Sequence, residues 1–370
     1  MSIYKLKIIF VGDYNPEEIL TGPEKVAKRV FTNLNLQTES VFVEYFIDGT
    51  EYSVWQKLFR KEEIQVTDNA KVLRLGLFRT ILFAFQFKPK IVHIISYQRF
   101  SVIFFLLKYI LQFKISYTVH GIIVHENQNF RRNTKKSLTL KDKVAERIIF
   151  KFSDRLFFLS EQSKQMAESY YKFSRTKIAF ISNGIDEIFH KKFLNRNYVR
   201  KEKLNVLVIA DYFRPEKGLE FFMEAIAPIQ SQFNFTVIGT EIETTLVQIN
   251  FISKIPTNEF AALLKEQDIF ISTSSFDTFP LVTIEAMAAG VLPVISITTG
   301  VSKYIINCEN GFIFTYGNID ELRSILLKIN DQPELVIQLA INASRIYDEL
   351  NWELVSNRYL NGFNELINER

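Results

Sequence analysis

The residues best suited to chemistry lie between residues 272 and 295. An apolar strand ends at Ser272, and a polar loop, a helix closed by Gly290 and a second strand follow. Asp277 lies in the loop, and Glu285 lies eight residues later on the helix. A helix N-terminus offers free N–H groups to an anion, and carboxylates accept hydrogen bonds from sugar or ribose hydroxyls. The stretch therefore indicates such a binding site, or else a capped helix with an exposed acidic residue.

Three other stretches place small or polar residues at the ends of predicted elements. His120 and Gly121 end one strand, a loop with Arg214 and Lys217 follows another, and Gly22 opens a helix. A lone histidine after a strand is usually structural, and a lone loop lysine usually faces water. Their positions alone therefore leave their roles open.

Short apolar runs alternate with amphipathic helices in the first half of the chain. Continuous apolar runs bounded by turns are typical of buried parallel strands. We predict strands at Lys7–Val11, Val41–Phe46, Ile91–Ile95, Ile115–Val119 and Arg155–Leu159, and helices at Glu24–Leu34, Ser101–Phe113 and Lys143–Lys151. This alternation predicts a doubly wound α/β sheet.

The polar, basic segment from His190 to Lys203 has no clear periodicity, and we expect it to be an interdomain linker. The alternation then restarts, and from Glu334 onward the chain is predicted to be mostly helical. The predicted elements between are strands Val206–Ile209, Phe235–Ile238, Ile269–Ser272 and Val294–Ser296 and helices Leu219–Ile226 and about 280–289. Two such domains would leave a cleft at the carboxyl ends of their sheets, where ligands bind in these folds.

Composition excludes several classes of protein. The 370 residues are 47% hydrophobic with a net charge of +4, which is too small to call for nucleic acid. A single cysteine rules out an internal disulfide and a cysteine-based zinc cage, and this suits a reducing compartment. The most apolar stretch, Ser101–Phe113, contains Lys108 and is shorter than the ~20 residues of a membrane span. We therefore predict no transmembrane helix.

Residues 279–290, Phe-Pro-Leu-Val-Thr-Ile-Glu-Ala-Met-Ala-Ala-Gly, closely resemble the donor-binding signature of retaining GT-B glycosyltransferases. These are the enzymes of family 4, also called glycosyl transferases group 1. The resemblance covers most of the chain, since further matches follow the family's order at residues 21–25, 117–121, 183–186 and 211–218. It implies a GT-B fold of two Rossmann-like domains with a donor cleft between them. We expect the first domain at 1–190, the nucleotide-sugar domain at 204–345, and a C-terminal helix, 346–370, packing back on the first domain.

The resemblance also assigns roles to residues. Glu285 would bind the nucleotide ribose, and Lys217 would neutralise the donor phosphate. His120 and Asp277 would lie beside the transferred sugar, so His120, Lys217 and Asp277 are the expected catalytic residues. Gly22 would meet phosphate or acceptor. The expected donor-binding set is Gly22, Arg214, Lys217, Phe279, Pro280, Leu281 and Glu285.

Three positions depart from the family pattern. Asp277 stands where Glu is usual, which shortens its reach to the donor sugar by one methylene group. Tyr212 stands where the family has arginine, and Arg214, two residues later, is the expected replacement. Gly22 is a single glycine where the family has two. The departure at Asp277 bears on the identity of the donor more than on the activity.

By resemblance, the reaction moves a sugar from a nucleotide diphosphate sugar to a saccharide or lipid-linked saccharide, with retention, in cell-surface polysaccharide synthesis. The resemblance implies that neither a metal nor a cofactor takes part, and no Asp-x-Asp pair stands at a suitable strand end. One alternative is a GT-B sugar-nucleotide epimerase, but the run Glu-Ala-Met-Ala-Ala-Gly at residues 285–290 favours a transferase. The other is a non-catalytic homologue that binds sugar nucleotide or a partner, suggested by Tyr212 and Asp277.

A basic segment follows the His-Gly loop, and a Phe-rich helix, Ser101–Phe113, precedes it. The segment is either a solvated loop or a contact with an anionic membrane or a lipid-diphosphate acceptor. We therefore expect a cytoplasmic protein, either free in the cytosol or peripheral on the inner face of the plasma membrane. The basic residues are Arg131, Arg132, Lys135, Lys136, Lys141 and Lys143.

Overall fold

A computed structural model describes residues 5–16, 21–45, 50–67, 70–130, 139–194, 202–242 and 249–369. The chain divides into two compact units. Unit 1 comprises Met1–Ser182 and Trp352–Arg370, and unit 2 comprises Asn183–Asn351. Each unit has one sheet with helices, and the two-domain α/β architecture expected for GT-B is therefore confirmed.

The sheet of unit 1 has eight strands in the order β3-β4-β2-β1-β5-β6-β7-β8, and every pairing except the antiparallel β3–β4 is parallel. Its core strands are continuous apolar runs because helices cover both faces. The strands are β1 Lys7–Val11, β2 Glu39–Glu44, β3 Lys61–Thr67, β4 Ala70–Leu75, β5 Ile91–Ile94, β6 Lys114–Val119, β7 Arg155–Phe158 and β8 Ile178–Phe180.

Alternate residues of these strands face two different helical layers. Ile9 and Val11 of β1 belong to a core with residues of α3, α4, α6 and α7, whereas Phe10 faces Phe31 of α1 and Phe363 of α15. The C-terminal helix therefore completes unit 1. The helices are α1 Gly22–Asn35, α2 Val54–Phe59, α3 Leu77–Phe87, α4 Val102–Leu111, α5 Ile123–Asn129, α6 Leu140–Phe152, α7 Glu161–Tyr170 and α15 Trp352–Asn368.

Unit 2 has a six-stranded parallel sheet in the order β11-β10-β9-β12-β13-β14. Its core joins the strands to α9, α12 and α13. The strands are β9 Leu204–Ile209, β10 Phe233–Ile238, β11 Ile249–Ile252, β12 Ile269–Ser272, β13 Leu292–Ser296 and β14 Phe312–Phe314. The helices are α8 Glu187–Leu194, α9 Leu219–Ile226, α10 Thr257–Leu264, α11 Leu281–Ala288, α12 Ile319–Asp331, α13 Pro333–Ser344 and α14 Ile346–Leu350.

Two of the differences from the predicted elements concern the linker and the Phe-rich helix. The first residues of the predicted linker belong to helix α8, whose Phe189 is buried against Phe260, so these residues are not an unstructured connection. The predicted helix Ser101–Phe113 ends two residues early, because Gln112 takes a left-handed conformation with φ 54°. No helix within the described ranges is long and apolar enough to cross a bilayer.

Candidate active site

The loops that matter most in unit 2 lie where its strand order reverses. β9 and β12 are neighbours in the sheet, and the chain continues from them toward opposite edges. In open α/β sheets, ligands bind outside the carboxyl ends of the strands at this reversal. Residues 210–218 follow β9, and residues 273–280 follow β12. The topology alone therefore points to the same two loops as the sequence motifs.

Backbone contacts hold these two loops together. Gly218 has φ 69°, and a Cβ atom there would lie 2.2 Å from the carbonyl oxygen of Thr273, so only glycine fits. The Thr273 hydroxyl donates to the carbonyl oxygen of Lys217 at 2.8 Å. The backbone N–H of Ser275 donates to the carbonyl oxygen of Glu216, also at 2.8 Å. Lys217 is therefore held at a fixed place beside the second loop.

The side chains of Lys217 and Asp277 form an ion pair across the two loops. Lys217 Nζ lies 2.5 Å from Asp277 Oδ2, and each side chain is 16% exposed. The other carboxylate oxygen of Asp277 accepts from the N–H of Phe279 at 3.1 Å, and its carbonyl oxygen accepts from Gly300 at 2.8 Å. The structure thus brings together two of the three predicted catalytic residues, which are sixty positions apart in the chain.

The remaining donor-binding residues of unit 2 continue from Asp277 into helix α11. Phe279, Pro280 and Leu281 form the turn that enters the helix, and all three are buried. Glu285 lies on the helix and is only 3% exposed. Glu285 is therefore not the exposed acidic residue that the capped-helix alternative expects. Gly290, with φ 70°, ends this segment and leads into β13.

Arg214 lies in the same loop as Lys217 but points elsewhere. Its Nε is 2.7 Å from Glu216 Oε1, and its side chain is 60% exposed. Tyr212, which occupies the position of the family arginine, is exposed and packs edge-on against Phe213. In this structure neither residue contacts Asp277 through any hydrogen bond or ion pair among the described residues.

His120 belongs to unit 1, where it follows β6. Burial lowers the pKa of this histidine from 6.5 to about 4, while a hydrogen bond with the backbone of Ile95 opposes the shift. The imidazole is therefore neutral at pH 7. A neutral imidazole can donate or accept a hydrogen bond to a sugar hydroxyl without adding charge.

Sequence reasoning missed a second histidine beside His120. His93 on β5 is fully buried, and its ring nitrogens contact Ser116 Oγ at 2.9 Å and Thr118 Oγ1 at 3.2 Å. Burial, with His120 nearby, lowers the pKa of His93 to about 3. The sequence did offer a signal for this residue, because His93 interrupts the apolar run of the predicted strand Ile91–Ile95.

Sequence reasoning also gave no role to Glu146, which shapes the loop after His120. Its carboxylate accepts from the N–H groups of Ile123 and Val124 at 2.7 and 3.2 Å, and from the Tyr171 hydroxyl at 2.6 Å. Burial raises the pKa of Glu146 although these hydrogen bonds favour the ionised form. An acidic residue among the buried positions of an amphipathic helix was the signal that could have found it.

Gly22 is the first residue of α1 in unit 1 and is exposed. The adjacent N–H of Thr21 donates to Glu24 Oε2 at 2.6 Å, so a side chain of the helix itself already satisfies this donor. Gly22 and His120 thus belong to one unit, and the other predicted site residues belong to the second. Within the described residues, no group of three or more His, Cys, Asp or Glu side chains is placed to hold a metal ion.

Comparison with known proteins matches both units of the chain to glycosyltransferase families. Residues 190–345 match the family described as Glycosyl transferases group 1, and residues 47–188 match Glycosyltransferase Family 4. Together the two matches extend over both units. The first includes both loops of the Lys217–Asp277 pair, and the second includes His120.

Similar proteins include two bacterial transferases. The UDP-Gal:alpha-D-GlcNAc-diphosphoundecaprenol alpha-1,3-galactosyltransferase of Escherichia coli is 22% identical, over 64% of this chain and 65% of that protein. The N,N'-diacetylbacillosaminyl-diphospho-undecaprenol alpha-1,3-N-acetylgalactosaminyltransferase of Campylobacter jejuni is 24% identical, over 60% and 63%. The alignments thus span under two thirds of either relative. Sucrose-phosphate synthase from Thermosynechococcus elongatus has the same fold, with a TM-score of 0.76, 16% identity, and 98% and 99% of the two chains covered.

Proposed function

The chain belongs to the glycosyltransferases of group 1 and family 4, and from this premise we propose a specific reaction. The protein moves a sugar from a nucleotide diphosphate sugar to a saccharide or lipid-linked saccharide, with retention, in cell-surface polysaccharide synthesis. The donor bond from sugar to diphosphate breaks, and the acceptor oxygen bonds to the sugar on the same face. The departing diphosphate oxygen takes the acceptor proton.

The observation that supports this proposal is the Lys217–Asp277 pair at the reversal of the unit 2 sheet. A diphosphate leaving group gains negative charge, and a nearby ammonium group stabilises that charge most in the transition state. Lys217 is fixed by its loop and remains partly exposed, so it can serve as this cation. Asp277 holds the ammonium in place and offers its carboxylate to the sugar hydroxyls.

The other residues of the proposal extend from this pair. Glu285 binds the ribose, since a buried carboxylate on α11 can accept hydrogen bonds from two adjacent hydroxyls. The backbone of Phe279, Pro280 and Leu281 contacts the sugar and pyrophosphate. His120, neutral at pH 7, lies beside the transferred sugar in this proposal. Arg214 adds a second cation once it leaves Glu216, and neither a metal nor a cofactor takes part.

The proposed acceptor class rests on the relatives. The Escherichia coli and Campylobacter jejuni proteins are named for acceptors that are saccharides on diphosphoundecaprenol. Such acceptors are held in a membrane by their lipid. We therefore place the activity in the cytoplasm at the inner face of the plasma membrane, with an anionic membrane surface as a partner and no nucleic acid.

The direct test is turnover of a panel of nucleotide diphosphate sugars with and without a saccharide-diphospholipid acceptor. We expect one donor to be consumed only with acceptor, and the new bond to keep the anomeric configuration of the donor. Glu285→Gln should weaken binding of the free nucleotide and of the whole donor equally, because the ribose is common to both. If Glu285→Gln weakened binding of the sugar donor but not of the free nucleotide, Glu285 would not be the residue that binds the ribose.

The same panel separates the alternatives. An epimerase would change the donor sugar without any acceptor. A non-catalytic homologue would bind one donor and leave it intact, which is the outcome that Tyr212 and the Arg214–Glu216 pair would favour. Either result would contradict the transferase proposal.

A further inference from the structure

Three helices that pack on one side of the unit 1 sheet expose large apolar side chains. α3, α4 and α6 share a single core beneath them, so they lie on the same side of the sheet, opposite α1 and α15. Many of their outward positions are apolar, and the others are mostly cationic. The exposed residues are Phe78, Leu82 and Phe85 on α3, Leu106, Tyr109 and Ile110 on α4, and Leu140, Val144 and Phe152 on α6. We call this surface the α3–α4–α6 face.

Helical geometry places the exposed residues of α3 on one side of that helix, and likewise those of α4. Residues three or four positions apart lie on the same side of a helix, and the spacing within α3 and within α4 is of this kind. The opposite sides of the two helices, such as Ala84 on α3 and Phe104 on α4, are buried against the sheet. Both helices are therefore apolar nearly all round, which is unusual for a helix that faces water.

Cations outnumber acidic residues on the helices of this face. The sequences of α2, α3 and α4 contain no Asp or Glu and hold Lys57, Arg79 and Lys108. Along α6, the cations Lys143, Arg147 and Lys151 recur at every fourth position among the exposed apolar residues. The two acidic residues of α6 have other roles in the structure. Asp142 bonds the N-terminus of its own helix, and Glu146 is buried beneath it.

A groove beside α6 gathers these cations. It has a volume of about 640 Å³ and is lined by Val124, Lys143, Arg147, Lys151, Tyr170, Tyr171 and Lys172. In the part of the chain that the structure describes, none of its four cations forms an ion pair with a carboxylate. Four unneutralised cations beside two tyrosine rings form a basic groove suited to phosphate.

This surface differs from the one that the sequence suggested. Phe104, Phe105 and Leu107 of the Phe-rich helix are buried, so the exposed residues lie on the other side of that helix. Lys108 is not available either, because its Nζ lies 2.6 and 2.7 Å from the two carboxylate oxygens of Asp154. The predicted basic residues Arg131, Arg132, Lys135 and Lys136 lie outside the described residues.

We propose that the α3–α4–α6 face docks on a bilayer that contains anionic phospholipids, with its apolar side chains among the acyl chains and lipid phosphates in the groove beside α6. Interfacial helices of this composition, with apolar residues flanked by cations, bind where headgroups meet acyl chains. A protein partner fits less well, since the buried centres of protein interfaces are depleted of lysine. The inference deepens the proposed function by assigning the surface that meets the membrane, but vesicle binding needs neither donor nor acceptor.

The test is flotation of the full chain with vesicles of equal parts phosphatidylcholine and phosphatidylglycerol, and with pure phosphatidylcholine. Arg147→Gln with Lys151→Gln should lower partitioning onto the anionic vesicles about 25-fold, because each cation near such a surface contributes roughly a factor of five. The matched control, Lys254→Gln with Lys265→Gln in unit 2, removes the same charge and should bind like the parent.

The apolar contribution has its own pair of variants. Leu106→Ser with Ile110→Ser should reduce partitioning at least about tenfold, since two exposed side chains lose their apolar contact with lipid. Leu36→Ser with Leu194→Ser alters two equally exposed leucines away from the face and should have no effect. All four altered positions are exposed, so thermal midpoints should stay near that of the parent.

Three results would overturn the proposal. The first is no binding of the parent to anionic vesicles, and the second is equal loss in the face variants and their controls. The third is concentration-dependent self-association that Leu106→Ser with Ile110→Ser abolishes while vesicle binding persists, since the face would then bind a second copy. Glu285→Gln should still bind vesicles, so a failed transferase assay would not be mistaken for a failed membrane contact.

Discussion

Lys217 is the side chain on which the proposed chemistry depends most. Replacing it with Ala should lower the turnover number ~10²–10³-fold, because one charge-assisted contact to a leaving group is worth roughly 2–4 kcal/mol in the transition state. The measurement is steady-state turnover of the donor sugar. The loop should remain in place, since its ties to Thr273 and Ser275 use backbone atoms of Lys217 and Glu216.

Arg214→Ala provides the comparison for Lys217→Ala. If Arg214 replaces the family arginine, its loss should also lower turnover, although the side chain pairs with Glu216 in the structure. Lys265→Ala, an exposed lysine after α10, controls for the loss of one charge. Parent-like turnover by Lys217→Ala, with an unchanged thermal midpoint, would remove this lysine from the site.

His93 gives the protein a pH-dependent stability whose sign follows from its burial. Its pKa is about 3 in the folded chain and near 6.5 in an unfolded one, so only the unfolded chain gains a proton as the pH falls below 6.5. The stabilisation is therefore complete above about pH 6.5 and is lost toward pH 3, at roughly 1.4 kcal/mol per pH unit. His120 should add a parallel loss down to about pH 4.

The check is the free energy of unfolding of unit 1, measured by denaturant between about pH 7 and about pH 5. His93→Gln should lower stability at pH 7, because the buried contacts to Ser116 and Thr118 are disturbed. Its dependence on pH should nevertheless be shallower than that of the parent. An equally steep dependence would mean that His93 is not the titrating group.

At the scale of elements, the left-handed turn at Gly218 decides whether the two site loops can meet. Gly218→Ala should destabilise unit 2 by about 2–4 kcal/mol, since the methyl group meets the Thr273 carbonyl oxygen and the left-handed backbone costs ~1–2 kcal/mol. Donor turnover should fall with it. Thermal unfolding and the donor assay measure the two effects.

Gly317→Ala is the matched control for Gly218→Ala. Gly317 also has a positive φ, 88°, but a Cβ atom there would meet nothing within 4 Å. Gly317→Ala should therefore lower the free energy of unfolding only by the cost of a left-handed backbone at a residue with a side chain, about 1–2 kcal/mol. Its turnover should be unchanged. Equal effects of the two substitutions would show that the contact with Thr273 does not matter.

Helices and strands could be predicted from the sequence where a segment has a single clear hydrophobic pattern. β1, α9 and β12 have the predicted bounds, because each is a continuous apolar run or a clear amphipathic repeat. The hairpin β3–β4 was missed because an edge strand with the sequence Lys-Glu-Glu-Ile-Gln-Val-Thr lacks a buried run. In the site, separate motifs indicated Lys217 and Asp277. Their contact could not be predicted, because it depends on the pairing of β9 with β12, and no local sequence pattern specifies that pairing.

At the scale of the whole molecule, the chain returns from unit 2 to unit 1, where helix α15 packs on the eight-stranded sheet. Phe363 is fully buried, with ring centroids 5.0 Å from His93 and 5.9 Å from Phe157. Phe363→Ala should cost unit 1 about 3–5 kcal/mol, the usual loss for a buried phenylalanine. Denaturant unfolding that follows unit 1 measures this loss.

Leu354→Ala, on a more exposed part of the same helix, should cost about 1 kcal/mol or less. Unit 2 should unfold as in the parent in both variants, since α15 belongs to unit 1. If Phe363→Ala lowered the stability of unit 2 instead, the division of the chain into these two units would be wrong.

The return of the chain to unit 1 also fixes an order of events on the ribosome. Residues 183–351 form unit 2 by themselves, so they can fold while synthesis continues. The sheet of unit 1 is made first, but the part of its surface that α15 covers, including the contacts of Phe10 and Phe157 with Phe363, stays open until residues 352–370 emerge. A nascent chain stalled before that point would present an apolar surface to chaperones and proteases, and the emergence of α15 ends that exposure.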